Sequence, residues 1–358
     1  MPDAAPGARM RAEIDEQPYR WRELVRVRSG IDEAAAILCS AQQVVLAGRG
    51  TSDHAATYGQ YLVQSVLGIP AYLATPSVTT VFGRDTYLPT TAVVVLSQSG
   101  QSPDMVATVA SARRRGAPTV AITNDPTSPL AVAADVHVPM LAGNEEAVAA
   151  TKSYTAELLV LYLIVATATG VPARTVEAEV NRLAVAAEEL LAAGQTGVAA
   201  IAHRIRDVDS AVVIGRGYAL ATAREAALKL TETCSLSASG WSAADAKHGP
   251  LAQVRPGTPV FCLLGAEAGR ESVSALVPDL LARGARVWTV EADAPAPERI
   301  GRTTSMGEGV LRVPAGITDQ MMPLLEILPF QQLALELAVR RGLDPDRPIG
   351  LTKVTLTR

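Results

Sequence analysis

The chain has 358 residues, 48% hydrophobic and 19% charged, with a formal net charge of −4 and 4% aromatic residues. That balance suits two domains of ordinary size and excludes a largely disordered chain. With no run of basic residues and no aromatic platform, it also speaks against nucleic acid as a partner.

The first residues, Met1-Pro2-Asp3-Ala4-Ala5-Pro6-Gly7, lack the charged and apolar regions of a secretory leader. Cys39, Cys234 and Cys262 form no Cys-x-x-Cys pair, so buried reduced thiols and a cytoplasmic location are expected. The first strong strand signal is Val44-Val45-Leu46-Ala47, which runs into Gly48-Arg49-Gly50-Thr51-Ser52 and a helix-compatible stretch. A second apolar run, Ala92-Val93-Val94-Val95-Leu96, leads into Ser97-Gln98-Ser99-Gly100-Gln101-Ser102. Small hydroxyls and backbone N–H groups in a glycine-containing turn at a helix start can all point at one anion. In an open parallel sheet two such strand ends, side by side, would gather Thr51, Ser52, Ser97, Ser99 and Ser102 around one phosphate. Neither turn fits the Gly-Lys-Ser/Thr ending of a nucleotide loop or Gly-x-Gly-x-x-Gly, so a phosphorylated metabolite is the expected ligand.

Residues 158–168 are apolar but too short for a membrane span, and a core helix is expected. Residues 170–175 read as a joint, followed by a helix over 176–193. Beyond it, Val213-Ile214-Gly215-Arg216-Gly217 matches the first strand end, the glycines standing 167 residues apart. Thr258-Pro259-Val260-Phe261-Cys262-Leu263 and Arg283-Gly284-Ala285-Arg286-Val287-Trp288 match residues 91–96 and 115–120 at nearly the same offset. Three matches in order suggest a duplicated strand–helix unit. The second copy has Leu264-Gly265-Ala266 where the first has Ser97-Gln98-Ser99, so one half holds phosphate and the other supplies something else.

Alternation of strands with Ala-rich helical stretches, such as 104–115 and 272–283, predicts an α/β protein with two tandem doubly wound parallel-sheet domains. The expected division is an N-terminal arm and helix (1–30), a first domain (31–172), a second domain (173–340) and a C-terminal tail (341–358). Lys229 and Glu232 lie three apart on the helix expected over 224–233; on spacing alone they read as a solvent-facing ion pair. His248 stands in Lys247-His248-Gly249-Pro250, a rigid loop, while His54, His137 and His203 sit in ordinary helical or strand contexts. No Cys/His/Asp cluster has metal-ligand spacing, and neither metal nor cofactor is expected.

Seven segments carry a resemblance over nearly the whole chain: 10–18, Gly50-Thr51-Ser52, Leu96 to Ser102, Ala147-Val148-Ala149-Ala150-Thr151-Lys152, Ala227 to Glu232, Lys247 to Ala252, and Leu351-Thr352-Lys353-Val354-Thr355. In that order they resemble the sugar isomerase (SIS) family, in particular the isomerase half of glucosamine-fructose-6-phosphate aminotransferase and related amino-sugar-phosphate deaminases. The resemblance implies that Thr51, Ser52, Ser97, Gln98, Ser99 and Ser102 hold a sugar 6-phosphate, and that Gly50, Val148, Ala150 and Lys229 also line the substrate. It implies Glu232 as the base that shuttles a proton between C1 and C2, His248 as the ring-opening group reaching in from a neighbouring subunit of a homodimer, and Lys353 as a contact to the open-chain oxygens. The chemistry agrees: proton transfer between adjacent carbons needs a carboxylate, and developing charge on oxygen needs a cation.

Departures refine this expectation. Met1-Pro2 leads almost at once into the isomerase motif, without the aminotransferase's glutaminase segment, so glutamine is not the expected nitrogen donor. Ala150 replaces a serine, Ser237-Ala238-Ser239 replaces a histidine and a glutamate, and Glu232-Thr233-Cys234 looks more like the deaminase branch. The leading expectation is conversion of glucosamine 6-phosphate to fructose 6-phosphate and ammonia. The alternatives are ammonia-dependent synthesis in reverse, another phosphosugar isomerase or deaminase, and a non-catalytic phosphosugar-sensing module.

Overall fold

A computed structural model describes residues 5–293 and 307–353. These fall into two compact units. The first holds residues 19–145, 150–181 and 352–353; the second holds 5–18, 146–149, 182–293 and 307–351.

In the first unit, β1 (Gln43–Ala47), β2 (Ala71–Leu73), β3 (Thr91–Ser97), β4 (Thr119–Thr123) and β5 (Val136–Pro139) form one parallel sheet in the order β2-β1-β3-β4-β5. Every residue of β3 and β4 is buried, as strands covered on both faces must be. Val93 and Val95 pack with Met105, Val109 and Ala112 of the helix Pro103–Arg114, so the two-residue period of the strand meets the helical period across one face. Val44, Leu46 and Val94 meet Leu161, Ile164 and Val165 of the helix Lys152–Ala168. The apolar run at 158–168 is thus core, as expected.

In the second unit, β6 (Ser210–Gly215), β7 (Ser237–Ser242), β8 (Pro259–Leu264), β9 (Arg286–Ala292) and β10 (Gly309–Val313) are again parallel, in the order β10-β9-β8-β6-β7. Counted from its own first strand, this is the same order as the first sheet. The registers agree as well. Val44 opposes Ala92 and Ala71, and 168 residues further on Val212 opposes Val260 and Ser239. Phe261 stacks on Trp288 with ring centroids 5.4 Å apart and meets Phe330 edge-on at 5.4 Å.

Several boundaries differ from the sequence reading. The joint expected at 170–175 is a single tight turn at Gly170, and one helix, Ala173–Arg204, continues well past the expected end at 193. The helix expected over 272–283 is two short ones, Arg270–Ser274 and Val277–Ala282, the second beginning at a proline-bearing first turn. Cys234 and Cys262 are buried, but Cys39 is exposed. It lies in the last turn of the helix Ile31–Ser40, beyond the end of the buried stripe Ile31, Ala34, Ala35 and Leu38. Among the described residues one helical segment, Met322–Arg340, is long and apolar enough to cross a membrane, and 89% of it is buried within the protein.

Candidate functional site

The first sheet reverses its strand order between β1 and β3, which pair in register from Gln43↔Thr91 to Ala47↔Val95. The turns that follow these two strands therefore leave from neighbouring carboxyl ends, where open α/β sheets bind ligands. Each turn opens a helix of 12 residues, Thr51–Leu62 or Pro103–Arg114. The helix after β1 folds back so tightly that a Cβ on Gly48 would lie 2.4 Å from the Ser52 backbone; Gly215 in the second unit is in the same position against Ala219. Gly100 has φ +62° and abuts the Ser128 hydroxyl, which also requires glycine.

The hydroxyls of the second turn are arranged to donate. Ser97 Oγ accepts the Gly100 N–H at 3.2 Å, and Ser99 Oγ accepts the Gln101 N–H at 3.3 Å. Their own protons remain for another acceptor. Ser102 stands at the N-cap of Pro103–Arg114 without capping it, and its buried hydroxyl has no hydrogen-bond partner among the described residues. Gln98 anchors the turn, its carbonyl accepting the Asn124 N–H at 3.1 Å. Gly50 (φ +55°) and Thr51 open the helix after β1. Ser52 differs from the others: it is buried and its hydroxyl donates to Glu157 Oε1 at 2.7 Å, so that proton is already committed. Sequence reasoning missed Glu157 and also Asp104, whose carboxylate binds the half-exposed Arg49 at 2.6 Å beside the turn. Both lie inside helices, 105 and 55 residues from their partners, and no local signal marks them.

In the second unit, Glu232 lies on the helix Ala219–Cys234. The expected solvent-facing pair is instead a buried triad, because Lys229 sits on the inner face of that helix. Lys229 is fully buried, with Nζ 2.6 Å from Glu232 Oε2 and 3.2 Å from Glu225 Oε1. Burial would push the ammonium to a lower pKa, but the two carboxylates outweigh it and hold the lysine protonated, above its ordinary range. Glu232 is the outer member, its side chain 24% exposed. His248 occupies an exposed loop before the short helix Pro250–Gln253, its N–H donating to the Asp245 carbonyl at 2.9 Å. Ser239, on β7, donates to Gln253 and accepts from Trp241.

Lys353 belongs to the first unit, where its Nζ lies 2.7 Å from Glu145 Oε2. Val354 and Thr355 of the tail motif lie outside the described residues. Ala150 is half-buried between Glu145 and the helix Lys152–Ala168, and the Val148 N–H donates to the Asp346 carbonyl in the second unit.

The turn after β8 stands where the second copy lacks serines. There the Gly265 N–H donates to Glu326 Oε1 at 3.0 Å, while the Glu267 and Ala268 N–H groups donate to the two oxygens of Asp319, each at 2.8 Å. Carboxyl groups from further along the chain thus take the backbone donors of this turn, where in the first turn Ser97 and Ser99 take those of Gly100 and Gln101.

A family model described as SIS domain matches residues 37–167 and 204–292. Glutamine–fructose-6-phosphate aminotransferase (isomerizing) of Aeropyrum pernix is 33% identical over 96% of this chain and 56% of its own length, and that of Pseudomonas putida is 33% identical over 96% and 58%. The chain spans little more than half the length of these curated relatives. Among solved structures, a Silicibacter pomeroyi protein superposes with a TM-score of 0.82 at 32% identity, covering 94% of this chain and 99% of that one. The C-terminal domain of glucosamine-fructose-6-phosphate aminotransferase from Francisella tularensis gives 0.83 at 24% identity, covering 96% and 100%. Glucosamine-6-phosphate deaminase from Thermotoga maritima gives 0.76 at 21%, covering 98% and 100%. These last two, below 25% identity, speak for the fold. With the two matched segments falling on the two parallel sheets just described, the chain belongs to the SIS domain family.

Proposed function

We propose that this chain is a phosphosugar isomerase acting on an amino sugar 6-phosphate, and that its preferred reaction converts glucosamine 6-phosphate to fructose 6-phosphate and ammonia. The observation that carries the reading is the 97–102 turn, with Ser97 and Ser99 accepting from their own backbone and the buried Ser102 hydroxyl left for an external acceptor. Such a cradle at two helix starts suits a phosphate dianion. Ser52, committed to Glu157, serves that cradle through its place in the first helical turn.

In the proposed reaction His248, from a second copy of the chain, assists opening of the sugar ring. Glu232 takes the proton from C2 of the open-chain aldehyde, giving an enolamine, and returns it to C1 to leave the C2 imine of fructose 6-phosphate; water then adds at C2 and ammonia leaves. Lys229, buried behind Glu232, acts through that carboxylate, and Lys353 supplies positive charge to the open-chain oxygens. The names of the curated relatives favour a second reading, the same chemistry run from fructose 6-phosphate and free ammonia.

The test measures ammonia release from glucosamine 6-phosphate, galactosamine 6-phosphate and N-acetylglucosamine 6-phosphate separately, with the reverse reaction run from fructose 6-phosphate and ammonium. Release from the first, abolished in Glu232→Gln while sugar-phosphate binding persists, is expected; Ser97→Ala should chiefly raise KM. Full activity in Glu232→Gln removes the assigned base. Tight binding without turnover of any of these compounds would make the chain a phosphosugar sensor.

A further inference from the structure

Glu145 has no side-chain exposure, and a buried carboxylate is costly unless several donors meet it. Among the described residues of the first unit at least four do so. The Thr151 and Ser153 N–H groups donate to Oε1 at 3.0 Å each, and Ser153 Oγ and Lys353 Nζ donate to Oε2 at 2.7 Å each. Three of these donors belong to the start of the 17-residue helix Lys152–Ala168, which Thr151 does not cap with its own side chain. Glu145 therefore does the capping, and its charge suits the positive end of the helix. The fourth donor comes from more than two hundred residues further along the chain. Burial alone would raise the Glu145 pKa, yet the Lys353 ammonium and the N–H donors hold it below the ordinary carboxylate range.

We infer that Glu145 is the positioning residue for Lys353 in the reaction proposed above, and the inference rests on that reading. An ammonium on a four-carbon stem near a chain end has many rotamers, and fixing it costs entropy that substrate binding would otherwise have to supply. Glu145 takes one of the three ammonium donors and fixes Nζ relative to a rigid helix start. The same carboxylate ties Thr151 and Ser153, so the segment carrying Ala150 and the amine of Lys353 share one anchor. Glutamine at 145 keeps an acceptor for the two backbone N–H groups, and the Ser153 hydroxyl can turn to accept from the new amide, so the Lys353 ammonium is the partner that loses its acceptor.

The experiment combines hydrogen exchange on the whole chain with steady-state kinetics for Glu145→Gln, Lys353→Met and the double variant. The Lys353-bearing peptide should exchange at least about fivefold faster in both single variants, with the β3 and β4 peptides unchanged. In Glu145→Gln, kcat for glucosamine 6-phosphate should fall by about tenfold or more while KM stays within about twofold. The double variant should be no slower than Lys353→Met, because both changes remove one interaction. Unchanged exchange of the Lys353 peptide, or losses that multiply in the double variant, overturns the inference and leaves Glu145 as a helix cap only. If the unmodified chain turns over none of the sugar phosphates, the functional reading fails instead, and that outcome is separate because the exchange measurement does not depend on turnover.

Discussion

The Glu326 carboxyl is fully buried at the end of the short helix Met322–Glu326, with one oxygen on the Gly265 N–H. Burial pushes its pKa up to about 7, opposed by the Gly265 and Ala266 N–H groups and Arg270 and assisted by Asp319. Between the ordinary value of 4.5 and about 7 the folded chain keeps this proton while the unfolded chain loses it. Folding stability from this group therefore falls as pH rises through that window, by on the order of 3 kcal/mol in all. Urea unfolding from about pH 5 to about pH 8 should show this decline, and Glu326→Gln, which mimics the protonated acid, should flatten it. Nothing local to residues 322–326 announces this group, since its surroundings come from a turn 61 residues away. The Lys229–Glu232 spacing was legible as a helical pair, but whether that face meets solvent or core depends on packing that the spacing does not encode.

At the scale of elements, the strands and the serine turn were readable because apolar runs bounded by glycines and hydroxyls leave few alternatives. Helix lengths were less so: Gly194 and Gly197 follow 193 with the low helix propensity of glycine, yet the helix Ala173–Arg204 runs through both, because packing and not local propensity decides where it stops. The 97–102 turn gives the sharpest test. Ala at Gly100 would have to hold φ near +62° with its Cβ 2.2 Å from Ser128 Oγ, which itself donates to the Asp125 carbonyl and accepts the Ala131 N–H. Left-handed backbone alone costs about 1–2 kcal/mol for an alanine. The turn must shift, carrying Ser97 and Ser99 with it. Gly100→Ala is expected to raise KM for the sugar phosphate by about tenfold or more with the far-UV circular dichroism unchanged.

For the whole molecule, the equal strand order of the two sheets follows from the offset of about 168 visible in the sequence, because a fixed spacing of matched strands brings matched pairings. The division between units was not visible, because it falls at residue 181 inside a continuous helix and again within the first helix, Ala8–Leu24. The proposed exchange of His248 between two copies has a direct consequence. Mixing inactive Glu232→Gln and His248→Ala chains, after dissociation and reassembly, should restore about a quarter of the native activity, since random pairing makes half the dimers hybrid and each hybrid has one intact site. Two dead variants that stay dead on mixing, with mass measurement confirming hybrids, would place all the groups in one copy.

The turn after β8, closed by Asp319 and Glu326, bears on stoichiometry. A half whose donors already hold internal acids has no vacancy for a dissolved anion, so calorimetric titration with a sugar 6-phosphate should saturate at one equivalent per chain despite two sheets of like order. A second equivalent in the titration would mean that those acids yield to the ligand.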